Sequence, residues 1–360
     1  MLNSTKTILS KDRNVPVDIF RALAIISVVL YHFNGLLPYG YLGVELFFVI
    51  SGLLVSGILI KNLEQGKSIN YFRFILQRGF KIWPSYYTLF IAGGILAWIL
   101  YRNFSPDQII PLWDIKRYLF FYQNYVPGAW HWSFDHIWSL CVEEHFYILL
   151  PILFIVVQRF FNQRKFLFFF VSLVILAGIL LKIPGYYLTH SHDTTAMTQY
   201  RIDALGWGVM LNLLITYYPE RLKKYALILF TAGVLILITT LVADQTFGEA
   251  YHKILFPSLI PIAFFLMISG AYFVKISGLK LIRYIAYYSY NLYLWHPIWV
   301  KYISAKVGTG LLGLSVYLFC SAACAFIFTV LIEEKALSKR GVVLNWIFRK
   351  GRTSIAPQTA

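Results

Sequence analysis

"RALAIISVVLYHF", residues 21–33, is apolar enough for lipid, yet a permanent cation opens it and an imidazole almost closes it. The stretch lies inside a run, 15–34, of about the length an α-helix needs to cross the hydrocarbon core of a bilayer. Similar runs follow at 41–60, 83–101, 137–157, 165–183, 200–218, 225–243, 253–273, 283–301 and 308–332. Across all 360 residues the chain is 59% hydrophobic and 18% aromatic, with only 13% charged. The bilayer core has no water to satisfy backbone amides, and these runs are too long and too evenly apolar for barrel strands. The expected fold is therefore an all-α integral membrane protein, a polytopic helical bundle of about ten transmembrane helices.

An even number of spans puts both termini on one side. If that side is the cytoplasm, most of the 32 lysines and arginines fall in interior loops and tails. The minority, Arg102, Lys116, Arg117, Lys182, Arg201, Lys253, Lys301 and Lys306, falls on the other side or at its span ends. The positive-inside rule thus predicts cytoplasmic termini. It also accounts for most of the net charge of +16, which is spread over short loops, so nucleic acid is not expected as a partner.

The first run has no small-residue cleavage site after it and is read as a retained anchor. Cys141, Cys320 and Cys324 all fall inside spans, and the pair at i, i+4 is poorly placed for a disulfide. One transmembrane unit is expected over 1–335, with a basic cytoplasmic tail at 336–360 and no room for a second soluble domain. The segment 102–136 interrupts the apolar pattern and is too aromatic for a passive linker; Trp113, Tyr122, Trp130 and Trp132 could stack on sugar rings or form an interfacial belt.

Arg21 and His32 are eleven residues apart, about three turns plus 20°, so they share a helix face some 16 Å apart along the axis. Ionisable groups within a span usually face a bundle interior or a water-filled cavity. The spacing leaves open the alternative that Arg21 snorkels to the interface and His32 marks the helix end. A second polar cluster lies in "HIWSLCVEEHFYILLP" (136–151), where His136, Glu143 and Tyr147 share one face and Glu144 points elsewhere, as an interfacial charge. His131, Asp135 and His136 have a ligand-like spacing but no second ligand cluster, so no metal is expected. His190 and His192 read as solvated loop residues, and His296 as structural.

Six blocks then carry a family resemblance: "VDIFRALAIISVVLYHF", "YGYLGVELFFVISGLLVSGIL", "FILQRGFKIWPSYY", "HIWSLCVEEHFYILLP", "RIDALGWGVML" and "YSYNLYLWHP". In this order, from residue 17 to about 297, they resemble the acyltransferase-3 family of bacterial membrane O-acyltransferases that act on surface polysaccharides. The resemblance implies an inner-membrane enzyme moving an acyl group, most often acetyl, from acyl-CoA to a hydroxyl of a glycan such as lipopolysaccharide O-antigen or exopolysaccharide. The acyl-CoA is then a donor substrate and no cofactor is bound permanently. The family's required Arg and His on the first helix correspond to Arg21 and His32, its Trp-Ser-Leu-x-Val-Glu glutamate to Glu143, and its Arg-x-x-Arg element to Arg78 and Lys81. Lys81 departs from that pattern and offers a point charge in place of a bidentate fork; Glu45 and His145 replace the usual Asp and Gln.

On this reading CoA phosphates are attracted to Arg78, Lys81 and Arg73, and His32 acts as the general base, oriented by Glu143 if that carboxylate reaches it. Direct transfer and a transient acyl-histidine both remain open. The rival reading is a transporter or flippase of a glycan or lipid-linked intermediate, for which intramembrane charges also speak. Paired interrupted helices, the usual mark of a transporter, are not evident.

Overall fold

The computed structural model describes residues 13–111, 114–126, 131–161, 164–189 and 196–349. Helices in chain order are α1 Val15–His32, α2 Gly43–Glu64, α3 Tyr71–Thr88, α4 Gly94–Tyr101, α5 Ile115–Leu119, α6 Trp138–Phe160, α7 Arg164–Thr189, α8 Ile202–Tyr217, α9 Pro219–Lys224, α10 Ala226–Thr246, α11 Phe256–Ala271, α12 Lys280–Lys306, α13 Leu311–Phe328 and α14 Glu334–Arg349. No strand occurs among the described residues. The chain is an all-α, multi-pass membrane protein.

Each of the ten expected runs coincides with a helix, but ten crossings are not confirmed. Eight helical stretches are long and apolar enough to span a membrane; α8 is apolar but has 16 residues, and α12 is not among the eight. The α12 sequence is long enough but is interrupted by Tyr284, Tyr287, Tyr288, Asn291, His296 and Lys301. That polarity has a structural cause, because α12 packs between α1 and α13 and turns Ser289, Asn291 and His296 into the bundle, fully buried. Of the eight spans, the one containing α2 is the most buried, and α10 is the least, with its apolar side chains left for lipid.

Local signals set the ends of α1. Asn14 Oδ1 accepts from the Val17 amide (3.0 Å), Pro16 stands in the first turn where no amide partner is needed, and Asp18 favours the positive end of the helix dipole. After His32 the chain reverses through Asn34 and Gly35, both at positive φ (55° and 66°). The α2–α8 crossing depends on Gly52 and Gly208: a Cβ on Gly52 would collide with the Leu205 carbonyl, and one on Gly208 with the Val49 carbonyl. Small residues of this kind let two backbones meet in a membrane.

Two π-turns interrupt long helices near the interior, Leu89–Gly93 between α3 and α4 and Thr329–Glu333 between α13 and α14. The second carries Thr329 and Glu333, both buried, toward α3 and α12. Residues 102–111, 114–126 and 131–137 fold back over one end of the bundle. Tyr118 and Phe134 are buried, while the Tyr86 and Tyr87 hydroxyls donate to the Tyr118 and Leu119 carbonyls (2.7 and 3.1 Å). Arg13 and α14 lie together at the opposite end, where Arg13 sits over the Tyr287 ring and Tyr287 donates to Glu334. Residues 350–360 of the expected tail lie outside the described residues, and 336–349 belong to α14, which packs on α3.

Candidate functional site

Four of the six singled-out residues meet in one cavity. Arg21 from α1, Arg78 and Lys81 from α3 and Glu143 from α6 line it together with Ser51, Ser289, Tyr290 and Tyr293. Arg21 faces the bundle interior, which settles the choice the spacing left open: its guanidinium donates to Ser289 Oγ (3.0 Å). No ion pair to Arg21 occurs among the described residues, and the same holds for Arg78, whose buried Nε has no hydrogen-bond partner and whose guanidinium carbon lies 4.8 Å from the Tyr147 ring centre. A guanidinium without a carboxylate is free to meet an anion.

Lys81 is different. Its ammonium is paired with Glu333, which is 1% exposed and also accepts from Asn291 Nδ2 (2.8 Å). Asn291 in turn donates to Thr329 Oγ1 (2.9 Å). The expected pair of phosphate cations is thus one open arginine and one neutralised lysine. Arg73 lies apart from the cavity: it reaches Asn345 (3.4 Å) and the Phe348 ring on α14. That separation follows from α3, whose residues 73 and 78 sit more than a turn apart and face different neighbours.

His32 is not in this cavity. It lines two others at the far end of α1, one of which shares Val44 and Tyr293 with the Arg21 cavity. Glu143 does not reach it. The carboxylate accepts instead from Ser51 Oγ (2.9 Å) and from the Tyr147 hydroxyl (2.5 Å), the latter on the shared face that the i, i+4 spacing predicts. What orients His32 is backbone: Nδ1 lies 2.9 Å from the Val28 carbonyl. That oxygen can only accept, so Nδ1 carries the hydrogen and, in the neutral ring, Nε2 presents its lone pair.

The other neighbours of His32 are aromatic. Its ring centre is 4.9 Å from that of His296 and 6.2 Å from that of Trp132, and His296 is 5.5 Å from His136. His296 Nδ1 donates to the Tyr293 carbonyl (2.9 Å) and His136 Nε2 to the Leu294 carbonyl (3.2 Å), which leaves His296 Nε2 and His136 Nδ1 buried without partners. Tyr293 separates the two regions. Its hydroxyl donates to the His136 carbonyl (2.7 Å) and lies 2.7 Å from Ser139 Oγ.

Other sequence readings meet mixed outcomes. Glu144 is not interfacial but buried, accepting from Trp83 Nε1 (3.2 Å). Glu45 pairs with Arg201, and His145 Nδ1 meets Thr198 Oγ1 (2.7 Å). His131 Nε2 lies 3.0 Å from Asp114, and among the described residues no group of three or more His, Cys, Asp or Glu is placed to hold a metal. Trp113, Trp130, His190 and His192 lie outside the described residues. Glu333 and Tyr293 were not anticipated. A carboxylate directly after the last apolar run, and a tyrosine three residues before His296, were the only traces of them in the sequence.

A family profile described as "Acyltransferase domain" matches residues 14–334. The chain is 28% identical to a supposed O-acetyltransferase of Staphylococcus aureus (strain COL), over 99% of this chain and 62% of that protein. It is 29% identical to the peptidoglycan O-acetyltransferase OatA of Listeria monocytogenes serovar 1/2a (78% of this chain, 48% of that one). The O-acetyltransferase OatA of Staphylococcus aureus (strain NCTC 8325 / PS 47) is also 29% identical (84% and 53%). The chain therefore spans about half to three fifths of the length of these relatives. No solved structure matches it.

Proposed function

Since the chain belongs to the acyltransferase family matched over residues 14–334, we propose that it is an O-acetyltransferase. Its donor in this reading is cytoplasmic acetyl-CoA and its acceptor a hydroxyl of a surface glycan, the class named by the peptidoglycan-acting relative. The membrane is the bacterial inner membrane, with Arg13 and α14 on the cytoplasmic side. The observation that carries the reading is the division of the interior. An anion-receptive cavity holds Arg21, Arg78 and Lys81, and a base with a free lone pair lies beyond it, with Val44 and Tyr293 common to both sides.

CoA phosphates bind Arg78, with Lys81 as a weaker neighbour because Glu333 neutralises it. Arg73 lies off this cavity and serves at most as a surface attraction near α14. The acyl-pantetheine arm extends past Arg21 toward Tyr293. At the far side His32 Nε2 takes the proton of the acceptor hydroxyl as its oxygen attacks the thioester carbonyl; the C–S bond breaks and the CoA thiolate receives a proton in return. Glu143 shapes the donor cavity through Ser51 and Tyr147 and does not act on the imidazole.

The test uses purified protein containing this chain, acetyl-CoA, and glycan isolated from cells lacking the gene. Glycan-dependent release of CoA is expected, with acetyl found on the glycan by mass spectrometry. His32→Ala abolishes release while CoA still binds in calorimetry. Normal turnover by folded His32→Ala protein would falsify the mechanism, and absence of glycan-dependent turnover in the unaltered protein would remove the function.

A further inference from the structure

The two cavities that His32 lines have different chemistry. In the first the charges neutralise one another: Arg201 pairs with Glu45, Lys253 with Glu249 (2.7 Å), and His252 lies 2.7 Å from Asp244. This is a braced interior surface: Arg201–Glu45 ties the start of α8 to α2, and His252–Asp244 ties the turn before α11 to α10. The second cavity is lined by Asn34, Phe104, Trp132, Lys301 and Ser304 beside His32. Trp132 is 41% exposed and Phe104 42%, and the side chains of Asn34 and Ser304 make no hydrogen bond among the described residues. Lys301, whose ammonium stands 5.9 Å from the Trp132 ring centre, is 3.2 Å from Asp107, which offsets its charge.

We propose that this second cavity is the acceptor subsite, and that it takes an uncharged pyranose ring stacked on Trp132 with one hydroxyl turned to His32. The inference rests on the acetyltransferase reading above. A pyranose has a face of C–H bonds and an edge of hydroxyls, and an exposed indole flanked by unpaired amide and hydroxyl groups complements both. The indole and imidazole centres are 6.2 Å apart with their planes at 63°. A ring in van der Waals contact with the indole therefore places its peripheral hydroxyls beside the imidazole. A tryptophan that only anchors the protein at the membrane interface has no need to line a concavity containing the base.

The test separates stacking from anchoring with two substitutions. Trp132→Leu keeps an apolar side chain and removes the flat face; Trp132→Tyr keeps the face. With acetyl-CoA and glycan isolated from cells lacking the gene, Trp132→Leu should raise the KM for glycan about tenfold or more. Acetyl-CoA affinity by calorimetry should stay within about twofold. Trp132→Tyr should restore most of the glycan affinity. An unchanged glycan KM in Trp132→Leu overturns the subsite, as does equal loss of acetyl-CoA binding or failure of Trp132→Tyr to rescue. If the unaltered protein shows no glycan-dependent turnover, it is the acetyltransferase reading that has failed, and the subsite falls with it.

Discussion

Arg78 and Lys81 are one turn apart on α3 and line the same cavity, yet their removal should have opposite consequences. Arg78 makes no ion pair among the described residues, so Arg78→Ala removes a cation without stranding a partner. A charge-assisted contact to a phosphate contributes about 1.5–3 kcal/mol, which weakens CoA binding roughly ten- to hundredfold. Because the contact is ionic, the deficit should narrow as salt rises. Lys81→Ala instead leaves Glu333, 1% exposed, with Asn291 as its one hydrogen-bond partner among the described residues.

Breaking a buried pair costs about 3–5 kcal/mol, and since the Lys81 side chain is 30% exposed the lower end applies, about 3 kcal/mol. For a chain of this size that lowers the unfolding midpoint by about 4 °C. The assays are thermal unfolding in detergent and calorimetric titration with CoA, for each variant and for Lys81→Met with Glu333→Gln. That double variant removes both charges and should recover most of the stability. Undiminished CoA binding by folded Arg78→Ala protein would refute the anion role, and wild-type stability in Lys81→Ala would refute the buried pair.

Backbone contact and sidedness give two further expectations. Gly52→Ala should destabilise by about 2 kcal/mol or more, since its Cβ meets the rigid Leu205 carbonyl. Gly94→Ala, helical and with open space around it, should be neutral or stabilising by up to about 1 kcal/mol; equal midpoints for the two variants would deny the α2–α8 crossing. In a background lacking Cys141, Cys320 and Cys324, Asn103→Cys should react with a membrane-impermeant thiol reagent on intact cells and Ser68→Cys should not, both sites being exposed at opposite ends of the bundle. The reverse pattern would put Arg78 on the side without acyl-CoA.

What the sequence determined by itself is whatever follows from local spacing and from the solvent. A membrane obliges each apolar run to satisfy its own backbone, so helices could be placed from hydropathy. The 3.6-residue period put Arg21 and His32 on one face and Tyr147 on Glu143. Hydropathy was least able to classify α12, because a helix buried among polar partners has no need to look like lipid.

Only the tertiary structure decided who answers each charge. Lys81 finds Glu333, 252 positions away, while Arg78 on the same helix finds no carboxylate among the described residues. Glu143 turns to Ser51 and Tyr147 and leaves His32 to the Val28 carbonyl, and the ring centre of His296, which read as structural, stands 4.9 Å from that of His32. A side chain's charge is written in the chain, but its partner depends on which helices meet and at what rotation. Those are set by packing details such as the Gly52–Gly208 contact, summed over residues far apart in sequence.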